Sequence, residues 1–235
     1  MTIPTRERLI VALDVPDVDA AKALVRTLGD AVAFYKIGLE LAMTGRYFEL
    51  LDWLLEQDKR VFADLKFYDI PATVAAAVRQ IRGRGASFLT VHGERSVMEA
   101  AASEKGDTLK ILAVTVLTSI EQADLTRVGI DVDIETLARR RAADAMAAGC
   151  DGVICSGHEA KRLREDLGAS ALIVTPGIRP ADSTGSDDQR RIVTPRAAFE
   201  NGADHIVVGR PIRAAADPRA AAEKIQREIA DFFSR

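Results

Sequence analysis

The 235 residues are 48% hydrophobic and carry a formal net charge of −3. This composition suits one large globular domain or two small ones, offers no basic tract for nucleic acid, and contains no apolar run long enough to span a bilayer. The run that begins near the N-terminus stops at Asp14, short of a secretion signal and without its small-residue cleavage site.

Eight short apolar runs recur along the chain: LIVALDV (9–15), AFYKIG (33–38), RVFADLKF (60–67), SFLTVHG (87–93), KILAVTVL (110–117), GVICSG (152–157), ALIVTPG (171–177) and HIVVGRP (205–211). They are rich in Val, Ile, Leu and Phe, as parallel strands buried on both faces should be. Helical patterns separate them. In PDVDAAKALVRTLG, Val18, Ala21, Val25 and Leu28 share one face. Pro71 suits a first helical turn ahead of Val74, Val78 and Ile81, and Asp217-Pro218 opens a last helix. Gly29, Gly85, Gly149, Gly168 and Gly202 each precede a strand, where a left-handed residue stops a helix. One βα unit used eight times predicts a single (β/α)8 TIM barrel over 1–235. A doubly wound open sheet is the alternative, but the turn LDVPDVDA lacks the GxGxxG fingerprint. Cys150 and Cys155 lie in apolar sequence with no His/Cys cluster around them and are read as reduced core thiols of a cytoplasmic protein.

The third run carries charge where a buried strand should not. VFADLKFYDIPATV (61–74) holds Asp64, Lys66 and Asp69. Asp14 ends the first run and Lys36 the second, so three consecutive strands put ionisable groups at the end that forms a barrel's active face. Asp64 and Lys66 are two apart and share a side of the strand. Isolated charges there would be costly, whereas an alternating chain neutralises itself and tunes the proton affinities of its members.

ALDV, FYKIG, DLKFYDIP, TVHG, VLTS, TPGIRP and VVGRPI, in that order, resemble the bacterial type of the orotidine 5′-phosphate decarboxylase family over nearly the whole chain. The resemblance implies removal of CO2 from C6 of a pyrimidine nucleotide without cofactor or metal. It implies that Lys66 protonates C6, that Asp64 lies near the departing carboxylate, and that Lys36 and Asp14 reach the ribose. It also implies a homodimer in which Asp69, Ile70 and Thr73 serve the partner's site. Thr118 would meet the pyrimidine edge, while Ser119 reads as a helix N-cap ahead of EQAD.

Gly177, Arg179, Gly209 and Arg210 lie after the seventh and eighth runs, where barrels commonly bind phosphate. The polar segment IRPADSTGSDDQRRIVTP between these runs suits a lid, and by resemblance Gln189 bridges phosphate and base. His92 is expected to face the mouth, His158 to start a helix and His205 to lie near the opposite end. Trp53 reads as part of a buried helical face with Leu50, Leu51, Leu54 and Leu55, and Arg139–Arg141 as solvated helix surface. Two rivals remain open: a sugar-phosphate lyase or aldolase, which would carry a metal-binding acid near the position of Lys36, and a non-catalytic binder of phosphorylated ligands.

Overall fold

The computed structural model describes residues 3–180 and 191–234. Eight parallel strands pair in chain order and close on themselves: β1 (Leu9–Ala12), β2 (Phe34–Ile37), β3 (Arg60–Phe67), β4 (Phe88–Val91), β5 (Lys110–Val114), β6 (Gly152–Ile154), β7 (Leu172–Thr175) and β8 (His205–Val208). This is the expected (β/α)8 barrel. Most strands are shorter than the runs that predict them. The Leu13 amide still bonds the Lys36 carbonyl at 2.9 Å, after which the backbone leaves the ladder. Asp14 therefore sits beyond β1, and Arg210 opens a helix instead of ending β8.

The connections are less uniform than one helix each. Among the described residues a single helix follows β1, β3, β4 and β6, and one precedes β8, but three connections carry two. In chain order these are α1 (Val18–Leu28), α2 (Leu39–Ala42), α3 (Tyr47–Glu56), α4 (Pro71–Gly83), α5 (Arg95–Ser103), α6 (Gln122–Arg127), α7 (Ile134–Ala147), α8 (Ala160–Leu167), α9 (Pro195–Glu200), α10 (Arg210–Arg213) and α11 (Pro218–Phe233). Left-handed Gly45 (φ +75°) and Gly129 (φ +77°) break α2 from α3 and α6 from α7. The five glycines predicted to end helices all have positive φ, from +54° at Gly29 to +89° at Gly202.

Local chemistry explains the helix starts. Asp17 caps α1 by accepting from the Ala20 amide at 2.8 Å, and Asp217 caps α11 from Ala220 at 2.9 Å. Pro71 and Pro218 occupy first-turn positions, where a missing N–H costs nothing. Ser119 is not a cap. Glu121 caps α6, its own amide donating to Asp124 Oδ2 at 3.0 Å in a reciprocal capping box. Ser119 has Gln122 three residues on, but that side chain is drawn to the Val132 carbonyl at 3.0 Å and the Ile134 amide at 3.1 Å, so no reciprocal pairing with Ser119 forms.

Two apolar layers hold the barrel. One lies between strands and helices and includes Val18, Ala21, Val25 and Leu28 of α1 and Val74, Val78 and Ile81 of α4. Leu50, Leu51 and Leu54 belong to it, whereas Trp53 and Leu55 only flank it. Trp53 keeps one face for cations, with Lys22 Nζ and the Arg26 guanidinium each 5.5 Å from its ring. Nor is Arg139–Arg141 wholly solvated. Arg139 pairs with Asp166 at 2.6 Å, and Arg141 Nη1 donates to the Thr115 carbonyl at 2.7 Å. Cys150 and Cys155 are buried and unbridged, and burial pushes both thiols up.

The second layer fills the barrel. Ile10, Phe34, Phe62, Phe88, Leu112 and Val207 point inward, each phenylalanine contributing roughly 1.5–3 kcal/mol by burial. The rings of Phe34 and Phe88 are 5.0 Å apart, and His205 meets both edge-on at 5.9 and 5.2 Å. This plug closes the N-terminal end, as expected for His205. Its Nδ1–H donates to the Glu7 carbonyl at 2.9 Å, since a carbonyl only accepts.

Burial, with Arg60 and Arg8 nearby, pushes the His205 imidazole down to about 3. In the unfolded chain the same ring binds a proton below about pH 6.5. The unfolded state thus holds the extra proton between those values, and this group's contribution to stability is lost as pH falls from 6.5 toward 3. Urea unfolding of His205→Gln at pH 6.0 and pH 4.5 should show a pH slope shallower than wild type by up to about 1.4 kcal/mol per pH unit. Equal slopes would mean that His205 charges in the fold.

Candidate active site

Asp64 and Lys66 of the third run meet Asp14 and Lys36 at the C-terminal mouth. Lys36 comes from β2, and Asp64 and Lys66 from β3. Lys36 Nζ lies 2.8 Å from Asp14 Oδ1 and 3.4 Å from Asp64 Oδ2, and Lys66 Nζ lies 2.7 Å from Asp64 Oδ1. The chain Asp14–Lys36–Asp64–Lys66 alternates in sign and sums to zero.

Regular strand alternation does not account for it alone. Lys66 has φ +47°, a left-handed geometry that costs a non-glycine residue roughly 1–2 kcal/mol. The β3–β4 register slips between Ala63 and Phe67, and the Lys66 amide donates to Thr90 Oγ1 at 3.0 Å. Thr90 in turn donates to Asp64 Oδ1 at 2.9 Å. One hydroxyl on β4 therefore fixes the irregular backbone of Lys66 and the carboxylate beside it. The sequence reading missed Thr90, because an apolar-run threonine looks like ordinary strand.

Asp64 and Lys36 are deeply placed, with side chains 14% and 11% exposed. Burial alone would raise the Asp64 carboxyl, but Lys36 and Lys66 outweigh it and hold the group below its usual range. Burial would likewise lower Lys36, and Asp64 with Asp14 reverses this, leaving its ammonium above the usual range. Both groups stay ionised at neutral pH because each neutralises the other.

The array forms one wall of a cavity of about 310 Å³, whose other walls include Phe62, Val114 and Ile154. Thr118 is buried against it and Ser119 also lines it. At another side stand Gly177, Arg179, Gly209 and Arg210, joined by Arg213. Arg213 was missed, although it follows Arg210 by three residues on α10 and shares its face. Gly177 is left-handed at φ +76°. The Arg179 amide donates to the Val193 carbonyl at 2.9 Å, and Val193 returns a bond to Gly177 at 3.2 Å.

Other predicted residues do not converge here. Asp69, Ile70 and Thr73 are exposed and do not line the cavity. Asp69 Oδ1 accepts the Ile70 amide at 2.6 Å. Gln189 lies outside the described residues. His92 does not line the cavity either. Its amide bonds the Phe67 carbonyl at 3.0 Å and its ring sits 6.1 Å from Tyr68, so Thr90, one turn of the pleat deeper, has the inward place. His158 is exposed in the turn before α8. Among the described residues there is no group of three or more His, Cys, Asp or Glu that could hold a metal ion, and no helix long and apolar enough to cross a membrane.

Barrel, cavity and arginine-lined end define a (β/α)8 enzyme whose site suits a small anionic ligand. Residues 7–225 match the model of the Orotidine 5'-phosphate decarboxylase / HUMPS family, and the chain belongs to that family. It is 56% identical over 232 residues to the orotidine 5'-phosphate decarboxylase of Methylococcus capsulatus, covering 99% of this chain and 96% of the relative. The corresponding protein of Stenotrophomonas maltophilia is 54% identical, with 97% and 95% covered. Among solved structures, orotidine 5'-phosphate decarboxylase from Lactobacillus acidophilus superposes with a TM-score of 0.82 at 37% identity, covering 95% of this chain and 99% of that one. The one from Pyrococcus horikoshii gives 0.75 at 27% identity, over 94% and 99%.

Thr90→Val keeps the volume and removes both hydrogen bonds. Thermal or urea unfolding should show a loss of about 1–3 kcal/mol. A change under about 0.5 kcal/mol would mean that neighbours other than Thr90 hold the Lys66 backbone.

Proposed function

We infer that this protein converts orotidine 5′-phosphate to uridine 5′-phosphate and CO2, the last step of UMP synthesis. The observation that carries the reading is the Asp14–Lys36–Asp64–Lys66 array on one cavity wall, in a chain of this family. Breaking the bond from C6 to the carboxylate leaves the electron pair on C6, where no ring orbital delocalises it. Barrier lowering of roughly 20 kcal/mol can be needed for such steps. The Lys66 ammonium stabilises that pair and then transfers one proton to C6, and the neutral amine left behind takes a proton from water to restore the ammonium. Lysine suits this, being a compact charge with transferable protons. Asp64 stands beside the substrate carboxylate, and their repulsion is relieved as CO2 leaves. Lys36 and Asp14 hold the ribose hydroxyls, and Thr118 meets the pyrimidine edge.

The phosphate is received by Arg179, Arg210 and the backbone at Gly209, with Gln189 bridging it to the base. Binding energy from this remote group supports assembly of the reacting end. A metal-dependent sugar-phosphate reaction fits less well. Lys36 Nζ stands within 3.4 Å of two carboxylates, in the space that a divalent cation bound by those acids would need. No cofactor is required.

Asp69, Ile70 and Thr73 act in the site of a second copy. Their exposure outside their own cavity supports this, as do the exposed apolar side chains of Leu39, Met43, Tyr68 and Ile70 following β2 and β3. The enzyme is then a homodimer with two composite sites, each nucleotide held by one barrel and the partner's loop. Its work on a soluble nucleotide fits a cytoplasmic location.

Purified protein in EDTA should consume orotidylate, seen as loss of its absorbance. Lys66→Ala should be silent, and Arg210→Ala should lose about a hundredfold or more in kcat/KM. A strict Mg2+ requirement or an inactive wild type would defeat the assignment. Mixing inactive Lys66→Ala with inactive Asp69→Ala should restore about a quarter of wild-type activity through heterodimers. No recovery after subunit exchange would rule out the shared site.

A further inference from the structure

We propose that Arg191, held by Glu159, is a positioning residue that sets the pyrimidine-facing segment Val116–Thr118. The inference rests on the functional reading above for the identity of the ligand, and on the following geometry for the rest.

Past β5 the chain leaves the barrel ladder. The Thr115 amide still bonds the Ile154 carbonyl at 3.1 Å, but the next carbonyls turn away from the strands while Val116, Leu117 and Thr118 line the cavity. Arginines receive these carbonyls. Arg141 Nη1 donates to Thr115 at 2.7 Å. Arg191 Nη2 donates to Leu117 at 3.0 Å and to Val116 at 3.3 Å. The other arm of Arg191, Nη1, forms an ion pair with Glu159 Oε1.

Glu159 is itself fixed. Its side chain is 6% exposed, and its Oε2 accepts the Ser156 amide at 3.0 Å in the turn after β6. Burial pushes its carboxyl up, and Arg191 opposes that. The guanidinium therefore ties the exit of β5 to the exit of β6, and only a planar, forked cation spans a carboxylate on one side and two carbonyls on the other. Arg191 is also anchored from its own chain: Val193, two residues on, bridges to Ile178 and bonds Gly177. Gly157 leaves the space for Val193, since a Cβ there would lie 2.3 Å from its Cγ2. Among the described residues lining the cavity, Arg191 is hydrogen-bonded only to the backbone of 116–117, which carries Thr118.

The test separates base recognition from general damage. Arg191→Lys retains the ion pair with Glu159 and forfeits the fork. The double variant Glu159→Gln/Arg191→Met removes both charges together, avoiding a lone buried carboxylate. Both should melt near wild type. Calorimetric titration with uridine 5′-phosphate should show binding weakened by about tenfold, while ribose 5-phosphate, which has the sugar and phosphate but no base, should bind as to wild type. Equal weakening of both ligands, or of neither, in a folded Arg191→Lys protein would overturn the proposal. Because binding is read directly, the outcome is independent of turnover. An inactive wild type that still shows the split would defeat the functional reading and leave the clamp standing.

Discussion

A carboxylate sunk into the mouth of an apolar barrel dictates the rest of the site. Asp64 would lose its charge to burial if it stood alone. It keeps the charge because Lys36 and Lys66 flank it and the Thr90 hydroxyl donates to it. Each partner comes from a different place along the chain: the neighbouring strand, two residues on, and the strand on the other side. The cost of this arrangement is visible in the backbone, where Lys66 takes a left-handed conformation and β3 slips against β4. Strain of this kind persists when surrounding contacts over-determine it, and it gathers where chemistry needs groups held in place beforehand.

The barrel divides its tasks by depth. Phe34, Phe88 and His205 pack the N-terminal end into a rigid plug with a neutral imidazole. The charge array occupies the level above, and the loops beyond the strands carry the cavity-lining Gly177, Gly209, Arg179 and Arg210. A packed floor beneath paired charges limits water access from below and strengthens every interaction in the array. Function is thus concentrated at one end because only the strand exits are free of packing demands.

Strand positions were readable because buried parallel strands have one composition and helices another. Helix stops were readable because a left-handed glycine is a local property, and Gly29, Gly85, Gly149, Gly168 and Gly202 all behave as expected. The doubled connections after β2, β5 and β8 were not, since a short helix with few apolar positions leaves little periodic trace. Ser119 misled for a related reason: the Gln122 side chain three residues on is drawn away to Val132 and Ile134, while Glu121 finds a reciprocal partner in Asp124. The Arg139–Arg141 run looked like surface because a long side chain can reach inward while its Cα stays outside.

The candidate site shows the same division. Lys36, Asp64, Lys66 and Asp14 could be named from the chain because charges at strand ends stand out against apolar runs. Thr90 and the Glu159–Arg191 pair could not, because their roles arise from partners 24 to 75 residues away in sequence. The amino-acid order alone determined that eight strands alternate with helices and which charges meet at the barrel mouth, since alternation, apolar composition and capping are properties of short segments. Only the folded barrel decided which hydroxyl steadies the buried carboxylate, how the Lys66 backbone bends and which guanidinium spans two strand exits. Those choices depend on register and closure, which bring distant segments within hydrogen-bond reach.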